Sequence, residues 1–167
     1  MSRIHYDVPG INQGPYNTCW LACFRMLIMF RLQVGRPVNA RAAALLDPAL
    51  IARFEGLNRG LRTDAFEAVA AEFGLSALHI PGLTRARRAD ELEIPFLAYD
   101  VLQRRGPFTL GGILSDGSGH AIVVCGASDE PESDIEFIDP RFGNVRHLGY
   151  AVLRRGFPPD DGALFVF

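Results

Sequence analysis

Residues 9–33 read PGINQGPYNTCWLACFRMLIMFRLQ, and the change of character inside this stretch sets the reading of the whole chain. Up to Asn17 it is a loop rich in Gly and Asn. From Thr18 it is apolar on nearly every side, interrupted only by Arg25 and Arg31. Such a run predicts a buried central helix from Thr18 to about Gln33, with Thr18 or Asn17 as its cap. Cys19 then stands at or beside the first helical position, where unpaired backbone N–H groups and the positive end of the helix dipole favour a thiolate over a thiol. Cys23 lies one turn further in on the same side, in apolar surroundings, and reads as core. Most free cysteines are small buried hydrophobes. A Gly- and Asn-rich loop running straight into a helix, however, leaves the first helical residues open to a ligand.

Further along, helices are expected at Asn39–Phe54, where Pro48 limits the first piece, and at Thr63–Phe73, capped by Thr63 and stopped by Gly74. Another is expected from Ala89 to Arg105, interrupted near Pro95. After Gly106 the pattern turns to short β-type runs at Phe108–Ile113, His120–Cys125, Ile135–Ile138, Val145–Leu148 and Ala163–Phe167, separated by Gly, Asp and Pro clusters. Helices precede strands, which predicts an α+β fold: a helical half packed on an antiparallel sheet. A cleft between the two is the natural place for a site.

His120 opens the run HAIVVC after the loop SDGSG, and Asp139 closes the run IEFID before Pro140. If these two strands form a hairpin through ASDEPESD, the start of the first lies beside the end of the second, and His120 meets Asp139. A thiol, a base and a third group that fixes the imidazole are what nucleophilic acyl chemistry requires. Alone, His120 would read as a surface histidine and Asp139 as a strand-end turn; together with Cys19 they read better as a site. Trp20 and Gly119, the immediate neighbours, are expected to line a substrate cleft. His5, His79 and His147 have no Cys or carboxylate at metal-ligand spacing, so no metal site is expected. Asp116 reads as a turn residue.

The bulk properties are those of one ordinary domain spanning residues 1–167. The chain has 167 residues, is 49% hydrophobic and carries a net charge of −2, with its arginines spread out, which gives no electrostatic reason to expect nucleic acid or an anionic membrane as partner. The first residues lack the pattern of a secretory signal and no run is long enough to span a bilayer, so synthesis in the cytoplasm without Sec export is expected, with any export through a signal-less secretion system. Three cysteines, an odd number, argue for reduced thiols and against a disulfide framework. All 17 basic residues are arginine. A GC-rich genome accounts for that most simply; a toxin avoiding ubiquitination in eukaryotic cytosol is the sharper reading.

The segment VPGINQGPYNTCWLACFRML, residues 8–27, resembles the Gln-to-Cys-Trp segment of papain-like cysteine peptidases, above all the short bacterial ones of the C39-like and C70 (AvrRpt2-like effector) groups. Residues 107–143, PFTLGGILSDGSGHAIVVCGASDEPESDIEFIDPRFG, resemble the histidine strand and Asn/Asp-Pro strand of the same families. Between about Val34 and Arg105 no such signature occurs. The resemblance implies a papain-like fold and a Cys19-His120-Asp139 triad. It further implies that Gln13, six residues before Cys19, contributes its side-chain amide to an oxyanion hole. Papain has Asn as third member, whereas Asp139 stands here, as in C39-like and transglutaminase-like enzymes.

The activity implied is hydrolysis of peptide bonds in a protein or peptide substrate without a cofactor, by a bacterial effector or toxin. A cognate immunity or inhibitor protein is the further partner such a toxin suggests. Two other readings share the motifs: a deamidase or transglutaminase-like acyltransferase using the same triad, and a non-catalytic C39-like domain that binds peptides. The second would be marked by a missing nucleophile or base, and neither is missing.

Overall fold

The central helix α1 spans Cys19–Gln33 and buries Trp20, Leu21, Ala22, Cys23, Phe24, Met26, Leu27 and Ile28. The computed structural model describes residues 2–79, 94–113, 118–130, 134–149 and 159–167. Fully burying a side chain such as Phe24, Leu27 or Ile28 contributes about 1.5–3 kcal/mol, so α1 is held by its surroundings and not by helix propensity. Phe24 is the hub, meeting Trp20, Phe66 and Phe73 edge-on. The helix stops at Val34 and Gly35, whose φ of +72° is costly for any residue with a Cβ.

The next helices follow local signals closely. In α2, Ala40–Ala44, the Asn39 side chain accepts the N–H of Ala42. In α3, Pro48–Leu57, Asp47 caps by accepting from Ala49, and Pro48 sits in the first turn, where its missing N–H costs nothing. Helix α4 spans Thr63–Glu72, with Arg62 at the cap position, so Thr63 is its first residue and not its cap. Helix α5 spans Ile94–Arg105, with Pro95 again in a first turn, where it begins a helix and does not interrupt one. Asp116 and the expected start at Ala89 lie outside the described residues.

Strands β1 (Arg3–His5), β2 (Ser76–His79), β3 (Phe108–Ile113), β4 (Gly119–Ser128), β5 (Asp134–Ile138), β6 (Val145–Gly149) and β7 (Pro159–Val166) form one antiparallel sheet in the order β2-β7-β3-β4-β5-β6, with β1 also on β4. The fold is α+β, with most of the helices preceding the main strands. Strand β4 lies at its centre. Ala121, Val123 and Cys125 join the core around α1, while Ile122 and Val124 join a second core with Leu102 of α5. Covering both faces explains why β4 reads as a continuous apolar run instead of alternating.

Two strands carry no strong local signal. β1 pairs with β4 through Arg3↔Ser128, Ile4↔Ala127 and His5↔Gly126, just past the point where β3 leaves β4 at Phe108↔Val124. That partner extends β4 to Ser128, three residues beyond the expected end at Cys125. β2 pairs with β7, which runs Pro159–Val166 and so starts earlier than Ala163. Among the described residues no helix is long and apolar enough to cross a membrane.

Candidate active site

Three elements deliver three side chains to one place. Cys19 is the first residue of α1 and is partly exposed, whereas Cys23 and Cys125 are buried. Thr18 occupies the cap position but its side chain makes no capping bond, so no hydroxyl competes for the first N–H groups of the helix. Burial pushes the Cys23 thiol well up and the Cys125 thiol up to about 12, which leaves both inert at neutral pH.

His120 is the second residue of β4, and Asp139 follows the last residue of β5. The pairing Val123↔Ile138 and Val124↔Phe137 sets the register of the two strands, and Asp139 directly follows the last paired residue of β5. The two side chains meet, with His120 Nε2 2.8 Å from Asp139 Oδ1. Cys19 lies near enough to His120 to favour its charged form. With Nε2 taken by Asp139, Nδ1 is the ring nitrogen left for the thiol. Burial of His120 works against the imidazolium, but the bond to Asp139 and the nearness of Cys19 outweigh it and raise its pKa to about 9. Burial likewise opposes the charge on Asp139, yet the bonds from His120 and from the Arg141 N–H hold its carboxyl below the usual range.

Gln13 lies in the loop before α1. Its backbone N–H donates to the Pro140 carbonyl at 2.7 Å, and its side-chain Nε2 donates to the Tyr16 carbonyl at 2.7 Å. An amide nitrogen carries two hydrogens, so one remains for a ligand. The loop is locked to the turn after Asp139 by two glycines: a Cβ on Gly10 would overlap the Gly143 carbonyl, and one on Gly143, at φ +74°, would come within 2.8 Å of the Asn12 nitrogen.

The motif order, the α+β fold and this convergence point one way, and a family model described as papain-like cysteine protease AvrRpt2, peptidase family C70, matches residues 2–154. The chain belongs to this C70 family. It is a papain-like cysteine protease, and proteins are its substrates. No curated protein matches it. The matched span contains Gln13, Cys19, His120 and Asp139 and ends before β7.

The remaining expected residues of this C70 protease divide. Gly119 is exposed beside His120, with open space where a side chain would stand. Trp20, expected in the cleft lining, is 5% exposed and packs edge-on against Phe24 and Phe54, so it belongs to the core beneath the site. His5 and His147 turn toward Glu136, a buried carboxylate on β5 that also pairs with Arg3. Sequence reasoning missed this cluster, although a Glu inside the buried run IEFI was a visible signal. Among the described residues no group of three His, Cys, Asp or Glu side chains could hold a metal ion.

Proposed function

We propose that this C70 protease cleaves peptide bonds with Cys19 as nucleophile, His120 as acid and base, and Asp139 as the group that orients the imidazole. The observation that carries the reading is the 2.8 Å bond of His120 Nε2 to Asp139 Oδ1, on an imidazole whose charged form Cys19 also favours. In the ion-pair form the Cys19 thiolate attacks the scissile carbonyl carbon, forming a C–S bond and an oxyanion. We assign the oxyanion to the Cys19 backbone N–H and the second hydrogen of the Gln13 amide, each donor contributing about 3–4 kcal/mol to the transition state. His120 then passes its proton to the leaving amine as the C–N bond breaks. Water, deprotonated by His120, releases the acyl group and regenerates the thiol. Asp139 keeps the ring in one tautomer and stabilises its protonated form.

The family's AvrRpt2 description supports an effector role, with the protease acting on proteins of another cell. Incubating wild type and Cys19→Ala with a proteome, and reading new peptide termini and Gln-to-Glu mass shifts, tests the reading. New termini only with wild type are expected, together with labelling by a small electrophile at Cys19 alone that His120→Ala abolishes. Mass shifts without cleavage would replace hydrolysis by deamidation, and no difference between the two proteins would overturn the catalytic reading.

A further inference from the structure

At the far end of α1 from Cys19, a cavity of about 260 Å³ opens between the C-terminal turns of α1 and α5 and the end of the described chain at Phe167. Arg31 stands twelve residues beyond Cys19, which at 1.5 Å per residue is roughly 18 Å along the helix. The cavity therefore does not share the nucleophile's surroundings. Its floor is apolar, built from Tyr6, Leu27, Phe30 and Phe167. Four arginines, Arg31, Arg36, Arg104 and Arg105, line its walls, and among the described residues no acidic side chain does.

Basic residues in the last turn of a helix answer its dipole, which accounts for Arg31, Arg104 and Arg105 as single residues. It does not account for Arg36, which lies beyond α1, nor for four guanidiniums around one concavity. Arg31 is preorganised: its Nε donates to the Pro37 carbonyl at 2.8 Å and its guanidinium lies 4.9 Å over the Phe167 ring. Four of its five N–H donors remain. Arg104 is engaged by Asp100 at 2.7 Å, but Arg36 and Arg105 are exposed and have no acidic partner among the described residues.

The geometry points to a second binding site for a small amphipathic anion: a phosphate or carboxylate head held by Arg31, Arg36 and Arg105, on a body of one ring or a short acyl chain seated against Phe30 and Phe167. The size argues for a small body, because pockets for drug-sized ligands span about 300–1,000 Å³ and this one falls just below that range. The head argues for phosphate or carboxylate, since the planar guanidinium fork matches both bidentately. This inference does not depend on the catalytic reading, and its test involves no turnover.

Calorimetric titration of the full chain with phenyl phosphate tests it, with inorganic phosphate and benzyl alcohol as head and body alone. Phenyl phosphate is expected to bind in the millimolar range or tighter, each half-probe at least about tenfold more weakly, and Arg36→Glu/Arg105→Glu at least about tenfold more weakly than wild type. Both positions are exposed, so this variant is expected to unfold at the wild-type temperature, and Cys19→Ala is expected to bind as wild type does. Co-sedimentation with phosphatidylserine vesicles, lost in the same variant, would identify a lipid as the source of the head; phenyl phosphate binding without co-sedimentation would identify a free ligand. No binding of phenyl phosphate, equal binding of inorganic phosphate, or undiminished binding by the double variant would overturn the inference.

Discussion

His120 holds opposing influences in one ring. Burial disfavours its charge, while the carboxylate of Asp139 and the sulfur of Cys19 favour it, and the net result is a pKa of about 9 against an ordinary 6.5. A group raised on folding contributes stability that is complete below about 6.5 and lost as pH climbs through about 9. Asp139, lowered on folding, contributes above its ordinary 3.8, and that contribution fades as pH falls through its depressed value. In the proposed mechanism the same proton goes to the leaving amine. The alkaline limb of kcat/KM is therefore expected near pH 9. In Asp139→Ala, burial is left opposed only by Cys19, and the limb should move to lower pH; Asp139→Asn, which keeps an acceptor without charge, should fall between. Profiles on a cleaved peptide identified from the proteome would check this, and a limb unmoved in Asp139→Ala would remove Asp139 from its proposed role.

At the scale of elements, the site depends on two loops that touch through backbone. The loop before α1 carries Gln13, and the turn after β5 carries Asp139, whose carbonyl accepts from the N–H groups of Phe142 and Gly143. Gly10 and Gly143 let these segments approach without side chains between them, and the bond from Gln13 N–H to the Pro140 carbonyl fixes their offset. Gly143→Ala adds both a left-handed backbone penalty and an overlap with Asn12, while Gly35→Ala, at φ +72° with open space around it, adds only the first. Gly35→Ala should cost about 1 kcal/mol by urea unfolding and leave kcat intact. Gly143→Ala should cost about 1–3 kcal/mol more and lower kcat by at least about tenfold with little change in KM, because the loops that carry Gln13 and Asp139 are displaced. Equal effects of the two substitutions would show that the loop contact does not position the site.

Across the whole molecule, the amino-terminal strand is tied to the centre of the sheet by charge. Glu136 is a buried carboxylate, 4% exposed, bonded by Arg3 and His5 of β1 and 3.9 Å from His147 of β6. Burial opposes its ionisation, but the bonds from His5 and Arg3 hold its pKa below the ordinary 4.5. Gly126 on β4 makes room, since a Cβ there would come within 2.5 Å of the carboxylate. Removing both partners strands a buried charge. Because Arg3 and His5 are themselves half exposed, Arg3→Ala/His5→Ala is expected to cost about 2 kcal/mol, less than for a fully buried pair. Urea unfolding at pH 7 measures this. The Glu136 contribution is present above about 4.5 and lost as pH falls, so the deficit should narrow in acid.

Much of the site is legible in the sequence. The burial of α1, the place of Cys19 at its front, the core role of Cys23 and the meeting of His120 with Asp139 follow from local periodicity, one helix start and one hairpin. Each of these signals acts within a few residues or across a single turn. Other features follow from contacts distant in sequence: the pairing of β1 with β4 and of β2 with β7, the burial of Trp20, the Glu136 cluster and the Gly10–Gly143 contact. Three- and four-residue strands have too few side chains to display a period, and they are strands only because a partner edge offers hydrogen bonds. The sequence by itself pointed to the groups proposed to carry the chemistry. Tertiary structure decided what holds them, because pairing and burial depend on neighbours that the local pattern does not contain.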